Sequence, residues 1–212
     1  GETLISSCYH EGMGNTVGST SANLCNFFNN PEDAYILGLW CADGYWWSSS
    51  IGLSNTDRAL IRKFREFFSK KSFPKKRIRY NRDHLFVNSR PLLREFREAK
   101  KTLGKIKRRQ IVQCYFGGRF DGDGCVNKDM RKDCRIVYGN KKEAEFDQKL
   151  LKLIGIVQTK VYYYRTSSTF CLYFSRFIVK NFVKKVLPYS MKLQKLALVP
   201  RRDLVSLQRQ ET

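Results

Sequence analysis

YILGLWCADGYW (residues 35–46) and YFGGRFDGDGCV (residues 115–126) are two versions of one stretch, 80 positions apart. In each, an apolar run carries small residues four positions apart and ends on Asp-Gly. Residues four apart lie on one face of a helix, and small side chains on that face let two helix backbones approach closely. We therefore expect two helices packed through four small residues: Gly38, Ala42, Gly118 and Gly122.

The two aspartates that end these runs, Asp43 and Asp123, are the first candidates for chemistry. Packed helices would bring both carboxylates to one end of the interface, where they repel unless a cation lies between them. The partial negative charge of helix C-termini favours that cation further, and hard oxygen ligands suit Mg²⁺. A single Asp-Gly is more often a simple helix stop. Asp121 is not expected in the site, because Cys41 stands in its place in the first motif.

The pattern after each motif is also duplicated. A strand-like hairpin follows, then an Asn (Asn55 or Asn140) that opens an amphipathic helix, two more strands, and a Ser-Arg pair that opens a third helix. We predict that the second amphipathic helix buries Phe146 and Leu153, and that the first hairpin is five residues longer in the second half. The fold class predicted is α+β, with two α-β-β-α-β-β-α repeats and antiparallel sheets. The expected divisions are an N-terminal arm over 1–30, repeats over 31–104 and 105–199, and a tail over 200–212.

Charge and cysteines restrict the partner and the compartment. Forty basic and nineteen acidic residues leave a net charge of +21, which a folded protein tolerates best when it binds a polyanion. Nucleic acid is favoured over an anionic membrane, because no long basic amphipathic helix stands out. The seven cysteines form no CxxC pair, so a structural zinc site is not expected. We interpret them as free thiols in an intracellular, reducing compartment.

Both motifs resemble the LAGLIDADG motif of homing endonucleases, and the order of elements in each half is similar to that family's. The match extends over about residues 31 to 199. The resemblance implies a site-specific DNA endonuclease that makes a Mg²⁺-dependent double-strand break with short 3′ overhangs, and Mn²⁺ or Ca²⁺ could replace Mg²⁺. It implies a monomer whose two sheets form a saddle for double-stranded DNA. Two alternatives share the fold: a maturase that binds intron RNA, and a DNA-binding regulator that does not cut.

The resemblance also implies roles for individual residues. The family binds metal through the acid and through the carbonyl just before it, which here are Asp43 with Ala42 and Asp123 with Gly122. The family places a polar residue after the second strand of each half, matching Asn55 and Asn140. Its lysine near the end of each repeat matches Lys105 and Lys192 best, with Lys107 and Lys195 as rivals.

Strand alternation predicts which side chains face DNA. In KRIRYNR, Ile78 and Tyr80 share one face and the arginines the other, and the later strands alternate in the same way. Arg and Lys can read guanine edges, and other basic residues hold phosphates. The candidates are Ser48, Ser50, Arg77, Arg79, Lys128, Arg131, Lys132, Arg135, Gln158, Lys160, Tyr162 and Tyr164.

Overall fold

The computed structural model describes residues 25–198. Most of the predicted arm over 1–30 and the predicted tail over 200–212 therefore lie outside the described residues. The first half consists of three helices and four strands. These are α1 Pro31–Asp43, β1 Gly44–Trp47, β2 Ser50–Ser54, α2 Arg58–Lys70, β3 Ile78–Asn81, β4 His84–Asn88 and α3 Arg90–Lys101.

The second half repeats the series and adds a helix. Its elements are α4 Arg109–Asp123, β5 Gly124–Val126, β6 Cys134–Tyr138, α5 Lys141–Leu153, β7 Thr159–Tyr164, β8 Thr169–Phe174, α6 Arg176–Val186 and α7 Met191–Leu198. A 3₁₀ turn follows α3 at Leu103–Lys105, and another follows α6 at Leu187–Tyr189. The predicted α-β-β-α-β-β-α order is confirmed in both halves, and so is the helical stretch near residue 190.

Two four-stranded antiparallel sheets, in the orders β1-β2-β4-β3 and β5-β6-β8-β7, carry the helices on one face. Leu53 pairs with Leu85, which pairs with Tyr80, and the corresponding row of the second sheet joins Ile136, Leu172 and Val161. Apart from the exposed Tyr80, these side chains are buried or half-buried, so this face of each sheet packs on the core. The α+β fold class is confirmed.

Local sequence explains where the helices begin. Asn30, Asp57 and Asn140 each accept a hydrogen bond at the N-terminus of α1, α2 or α5 through a side-chain oxygen. Pro31 stands at the first position of α1, where a missing N–H costs nothing. Helix α2 buries its predicted apolar face, which consists of Leu60, Ile61, Phe64, Phe67 and Phe68.

Helix α5 is turned differently from the prediction. It buries Ala144, Asp147, Leu150 and Leu151, whereas Phe146 and Leu153 are 49% and 42% exposed. The reason is electrostatic: Asp147 points inward because it accepts hydrogen bonds from the buried hydroxyls of Tyr115 and Tyr138. The prediction took the buried face of α5 from hydrophobic residues alone, so it did not include Asp147.

The described cysteines agree with the interpretation as free thiols. All six have no disulfide partner, and four of them, Cys41, Cys114, Cys134 and Cys171, are buried as small apolar side chains. Cys8 lies outside the described residues. Among helices within residues 25–198, none combines the length and apolar character needed to cross a bilayer.

Candidate metal centre and nucleic-acid interface

Helices α1 and α4 cross through their small residues, as predicted. A methyl group on Gly38 would lie 2.9 Å from the backbone nitrogen of Arg119 and closer still to the carbonyl oxygen of Tyr115. The reciprocal contact sets Gly118 against the backbone of Leu39 and Tyr35. Both contacts join positions of the two motifs in the same way, so the helices cross with local twofold symmetry.

This crossing brings both aspartates to one end of the helix pair. A methyl group on Gly122 would lie 2.6 Å from Asp43 Oδ2, so the absence of a side chain at Gly122 leaves room for Asp43 beside the last turn of α4. Asp43 ends α1 and Asp123 ends α4, and the next residue in each case, Gly44 or Gly124, starts a strand. The two aspartates therefore lie at the same end of the helix pair, close enough for the Asp43 charge to raise the pKa of Asp123.

Burial raises the pKa of both acids, and the nearby cations lower it. Burial raises the pKa of Asp43, while the hydrogen bond from Asn55 Nδ2 to Asp43 Oδ2 (2.8 Å) and the charges of Arg119 and Lys192 lower it. Burial raises the pKa of Asp123 to about 6, and the Asp43 charge adds to the rise, against the lowering effect of Arg119 and Lys192. A divalent cation bound between two neighbouring, partly buried carboxylates would offset their repulsion and favour their ionised forms.

The donor set fits Mg²⁺. The oxygens that could bind it are the two carboxylates and, as the resemblance implies, the carbonyl oxygens of Ala42 and Gly122, which precede them. Mg²⁺ prefers hard oxygens and commonly keeps several waters while it binds one or two carboxylates. Within residues 25–198 there is no cluster of three or more His, Cys, Asp or Glu side chains that could cage a metal by themselves. The centre would therefore need water or substrate oxygens to complete a coordination shell.

Asp121 lies outside this donor set because it is engaged elsewhere. It is buried and accepts hydrogen bonds from the Tyr35 hydroxyl (2.6 Å), from Ser190 Oγ, and from the backbone N–H groups of Met191 (2.9 Å) and Lys192 (3.0 Å). These bonds fix the N-terminus of α7 to α4. Asp121 is thus a structural acid, and it sets the position of Lys192.

Lys192 lies at the centre, and Lys105 does not. Lys192 Nζ is 2.8 Å from the carbonyl oxygen of Gly124 and 3.4 Å from that of Gly122. Lys105 is exposed, and it lies in the turn after α3, whose counterpart in the second half is Leu187–Tyr189. Its structural partner is therefore Tyr189. The prediction paired Lys105 with Lys192 on their spacing of 87 residues. That pairing does not match the structure, because Lys192 lies in α7, which has no counterpart in the first half.

Two other lysines clarify the alignment. Lys195, the rival to Lys192, donates to Asp57 at the N-terminus of α2 (2.8 Å), and Lys107 is exposed. Lys100, which the sequence did not single out, lies 5.9 Å from the Trp40 ring, as Lys192 lies 5.9 Å from Phe120. Trp40 and Phe120 occupy equivalent motif positions. Lys100, however, forms an ion pair with Glu143 (2.8 Å) and lies in α3, so it is not the repeat equivalent of Lys192 in α7.

Asn55 and Asn140 are not equivalent. Gly44 pairs with Leu53 in the first sheet, and the equivalent Gly124 pairs with Ile136 in the second, so Leu53 and Ile136 are equivalent positions. Two residues after these positions, Asn55 in the first half corresponds to Tyr138 in the second. Asn140 is exposed, and its side chain accepts from the N–H of Lys142, which makes it the counterpart of the helix cap Asp57. The prediction that paired the two asparagines is wrong, and so is the hairpin length. The second-half hairpin is three residues longer, and the β7–β8 hairpin is also longer than the β3–β4 hairpin.

The predicted strand residues lie on the sheet faces that point away from the helices. In the first sheet Arg79 pairs with Phe86, and Ser50 with Asn88, both on the outer face. In the second, Arg135, Tyr173 and Lys160 form one outer row, followed by Tyr162 and Tyr164. The other exposed or half-buried candidates lie in turns or just outside strands: Ser48, Arg77, Lys128, Arg131, Lys132 and Gln158. Trp47, 80% exposed beside Ser50, is an outer-face residue that the prediction missed.

Arg119 is the residue that sequence reasoning overlooked most clearly. It is 2% exposed and lies one helical turn before Asp123, with Nη1 3.8 Å from Asp123 Oδ2. Its other acidic neighbours are Glu143 (3.9 Å) and Asp147 (3.6 Å). The signal was available, since Leu39 stands at this position in the first motif.

Comparison with known proteins agrees with the geometry. Residues 30–99 match the family model of the LAGLIDADG-like domain. The homing endonuclease I-DmoI, solved with DNA and Ca, superposes with a TM-score of 0.64 at 17% identity, covering 79% of this chain and 97% of that one. I-DmoI solved with DNA and Mn gives a TM-score of 0.60 at 18% identity, covering 74% and 96%.

A second kind of protein has the same fold. The N-terminal LAGLIDADG domain of DUF199/WhiA superposes with a TM-score of 0.53 at 15% identity, covering 75% of this chain and 83% of that one. No curated protein sequence matches the chain significantly. Residues 30–99 are therefore similar to the LAGLIDADG-like domain, and the two halves of the chain together have the fold of the LAGLIDADG homing endonuclease I-DmoI.

Proposed function

We propose that the protein is a divalent-metal-dependent DNA endonuclease that cuts both strands of a long, specific duplex sequence. The observation that carries the proposal is the meeting of Asp43 and Asp123 at one end of the α1–α4 crossing, beside Lys192. I-DmoI, which has the same fold, is a homing endonuclease solved with DNA and Mn. Its role there supports DNA as the substrate and a divalent metal as the cofactor.

Each side chain of the centre has a role that its position suggests. Asp43 and Asp123, with the carbonyls of Ala42 and Gly122, would hold Mg²⁺, which activates water and stabilises the leaving oxygen in phosphodiester hydrolysis. Asn55 orients the Asp43 carboxylate through its 2.8 Å hydrogen bond. Lys192 places a positive charge beside the Gly122 and Gly124 carbonyls, where it could stabilise charge that develops on a phosphate.

The outer faces of the sheets would hold the duplex. Arg79, Arg135 and Lys160 lie on these faces. Tyr162 and Tyr164 follow Lys160 along β7 on the same face. Basic side chains that neutralise phosphates release counterions, so affinity would fall steeply with salt. A net charge of +21 makes such a dependence strong. The proposed domain division follows the two repeats, at 31–104 and 105–199, in a monomer.

A DNA-binding regulator that does not cut is the second candidate. Arg119 favours it, because a buried guanidinium beside Asp123 compensates that carboxylate in part without a metal ion. The N-terminal LAGLIDADG domain of DUF199/WhiA, which is not named as an endonuclease, has the same fold. Such a protein would bind a preferred duplex and leave it intact.

A cleavage selection on a randomised duplex library separates these candidates. The full chain is incubated with the library in Mg²⁺, and a parallel sample contains a chelator instead. The proposal predicts recovery of ends that share one long sequence with short 3′ overhangs, in Mg²⁺ only. Enrichment of bound but uncut duplexes in both buffers would establish the regulator instead. Cleavage that persists in chelator would contradict the metal requirement.

A further inference from the structure

The two halves of the centre differ most behind the aspartates. Leu39 stands one turn before the end of α1 and is fully buried, whereas the equivalent position of α4 is occupied by Arg119, also buried. Burying a guanidinium is costly unless acids accompany it. The second half provides them, and the first half places no charge at the equivalent position.

Arg119 is held by charge and by the Tyr138 ring, whose centroid lies 4.3 Å from the guanidinium carbon, and its ion pairs are long. It lies 3.6 Å from Asp147, 3.8 Å from Asp123 and 3.9 Å from Glu143, distances beyond those of a normal hydrogen bond. Its Nε and Nη1 atoms donate to no described residue, although both are buried. The guanidinium is therefore shared among three carboxylates, and a small rotation would favour one of them over the others.

The aspartates consequently meet different neighbours. Asp43 accepts a hydrogen bond from the neutral amide of Asn55, and the Arg119 charge, which lowers the pKa of Asp43 as well, lies beyond the 4 Å range of an ion pair with it. Asp123 already has a cation 3.8 Å away. A divalent ion that binds Asp123 must share that carboxylate with Arg119, or displace Arg119 toward Glu143 and Asp147. Like charges at this distance repel strongly in a partly buried site.

We propose that Arg119 is an internal counter-ion that weakens divalent-cation binding at Asp123 relative to Asp43, so that the DNA strand served by Asp43 is cut first. This inference rests on the proposed endonuclease function. It predicts a nicked duplex that accumulates and then disappears. It also predicts that the second cut needs a higher Mg²⁺ concentration than the first.

Direct metal binding tests the inference without cleavage. Mn²⁺ binding to the full chain is measured by electron paramagnetic resonance for D43N, which retains Asp123, and for D123N, which retains Asp43. Outer partners of a metal site commonly change affinity by 10- to 100-fold, so D43N should bind Mn²⁺ roughly 10-fold more weakly than D123N. Adding R119L to D43N should remove most of that difference, because leucine is the residue of the first half. Equal affinity of D43N and D123N, or tighter binding by D43N, would overturn the inference.

A variant that fails to fold would not leave the question open. Removing Arg119 leaves the buried Asp147 without its cation and could unfold the D43N/R119L variant. In that case D43N/R119L/D147N, which also removes the charge of Asp147, takes its place. Strand-resolved cleavage by the unaltered chain gives a second readout, with a different dye on each strand of the selected duplex. D43N and D123N identify which strand each half cuts. Unequal Mg²⁺ requirements, with the Asp43 strand first, support the inference, and equal requirements or the reverse order contradict it.

The two failures can be told apart. If neither strand is cut under any condition, the proposed endonuclease function fails, while the Mn²⁺ comparison still decides whether Arg119 weakens the Asp123 site. If both strands are cut with the same Mg²⁺ dependence, the endonuclease function stands and the role of Arg119 is wrong.

Discussion

Gly38 lies so close to the carbonyl oxygen of Tyr115 that no side chain fits between the two helices at that point. The equivalent contact sets Gly118 against Tyr35, and together they determine how near Asp43 and Asp123 can approach. The proposed metal centre therefore depends on a backbone contact about one and a half helical turns away. Close packing of α1 and α4 is a condition of the chemistry as well as of stability.

Gly38→Ala should destabilise the protein, although alanine is the better helix former. The added methyl group meets backbone atoms of α4, which cannot move aside as a flexible side chain could. We expect a loss of about 3 kcal/mol in the free energy of unfolding, at the upper end for overpacked cores. Denaturant unfolding measures it. Gly104→Ala is the matched control, since a methyl group there meets nothing within 4 Å. Equal stability of the two variants would contradict the close crossing.

Lys192→Met should slow cleavage about 100-fold while leaving DNA affinity nearly unchanged, as expected when one charged group acts mainly in the transition state. Lys192 contacts the carbonyls of Gly122 and Gly124, and Lys105 is exposed. Lys105→Met is therefore the control and should cut at the normal rate. Single-turnover rates and Kd on the selected duplex measure both effects. A comparable loss of rate in Lys105→Met would restore the alignment that pairs the two lysines.

The two asparagines should behave differently when each is replaced by alanine. Asn55→Ala removes the hydrogen bond to Asp43 and should lower the cleavage rate. Asn140→Ala removes a helix cap and should cost about 1 kcal/mol of stability without lowering the rate of the folded enzyme. Cleavage at saturating Mg²⁺, together with thermal unfolding, separates the two losses. If Asn140→Ala abolished cleavage while the chain stayed folded, the assignment of Asn140 as a helix cap outside the cutting centre would be wrong.

Asp147 should make stability depend on pH. Burial raises its pKa to about 6, despite the opposing effects of Arg119 and the hydroxyls of Tyr138 and Tyr115. Between about pH 4 and pH 6 the folded chain keeps a proton that the unfolded chain loses. Unfolding then releases a proton, so the free energy of unfolding should fall as pH rises through this window.

Asp147→Asn removes the titrating group and should flatten that part of the dependence. Denaturant unfolding at about pH 4.5 and about pH 6.5 provides the comparison, because the difference between wild type and variant isolates Asp147 from other acids. Parallel pH dependences in the two proteins would show that Asp147 has an ordinary pKa.

The duplicated motif allowed much of the fold to be predicted. Small residues four apart, an Asp-Gly stop, and a repeated order of strands and helices are local signals, so α1, α4 and the two sheets were foreseeable. The same signals predicted Asp43 and Asp123 as neighbours. What failed was the alignment of the halves beyond the motifs, because matching residue types, Asn55 with Asn140 and Lys105 with Lys192, took precedence over strand register.

The buried charges could not be predicted from periodicity. Arg119 replaces the leucine of the first motif, and its burial draws Asp147 inward, so α5 exposes Phe146 and Leu153 instead. A hydrophobic pattern assigns charged residues to solvent and cannot represent an acid and a base buried together. Only tertiary packing shows that the two positions compensate each other.

The role of the two aspartates is tested by cleavage of the selected duplex in Mg²⁺ by Asp43→Asn, Asp123→Asn and the double variant, with DNA binding measured in parallel. Asparagine preserves the shape of each side chain and removes the negative charge. We predict that each single variant loses double-strand cleavage, that the double variant cuts neither strand, and that all three bind the duplex nearly as tightly as the wild type. Full cutting by the double variant would show that the two aspartates do not form the cutting centre.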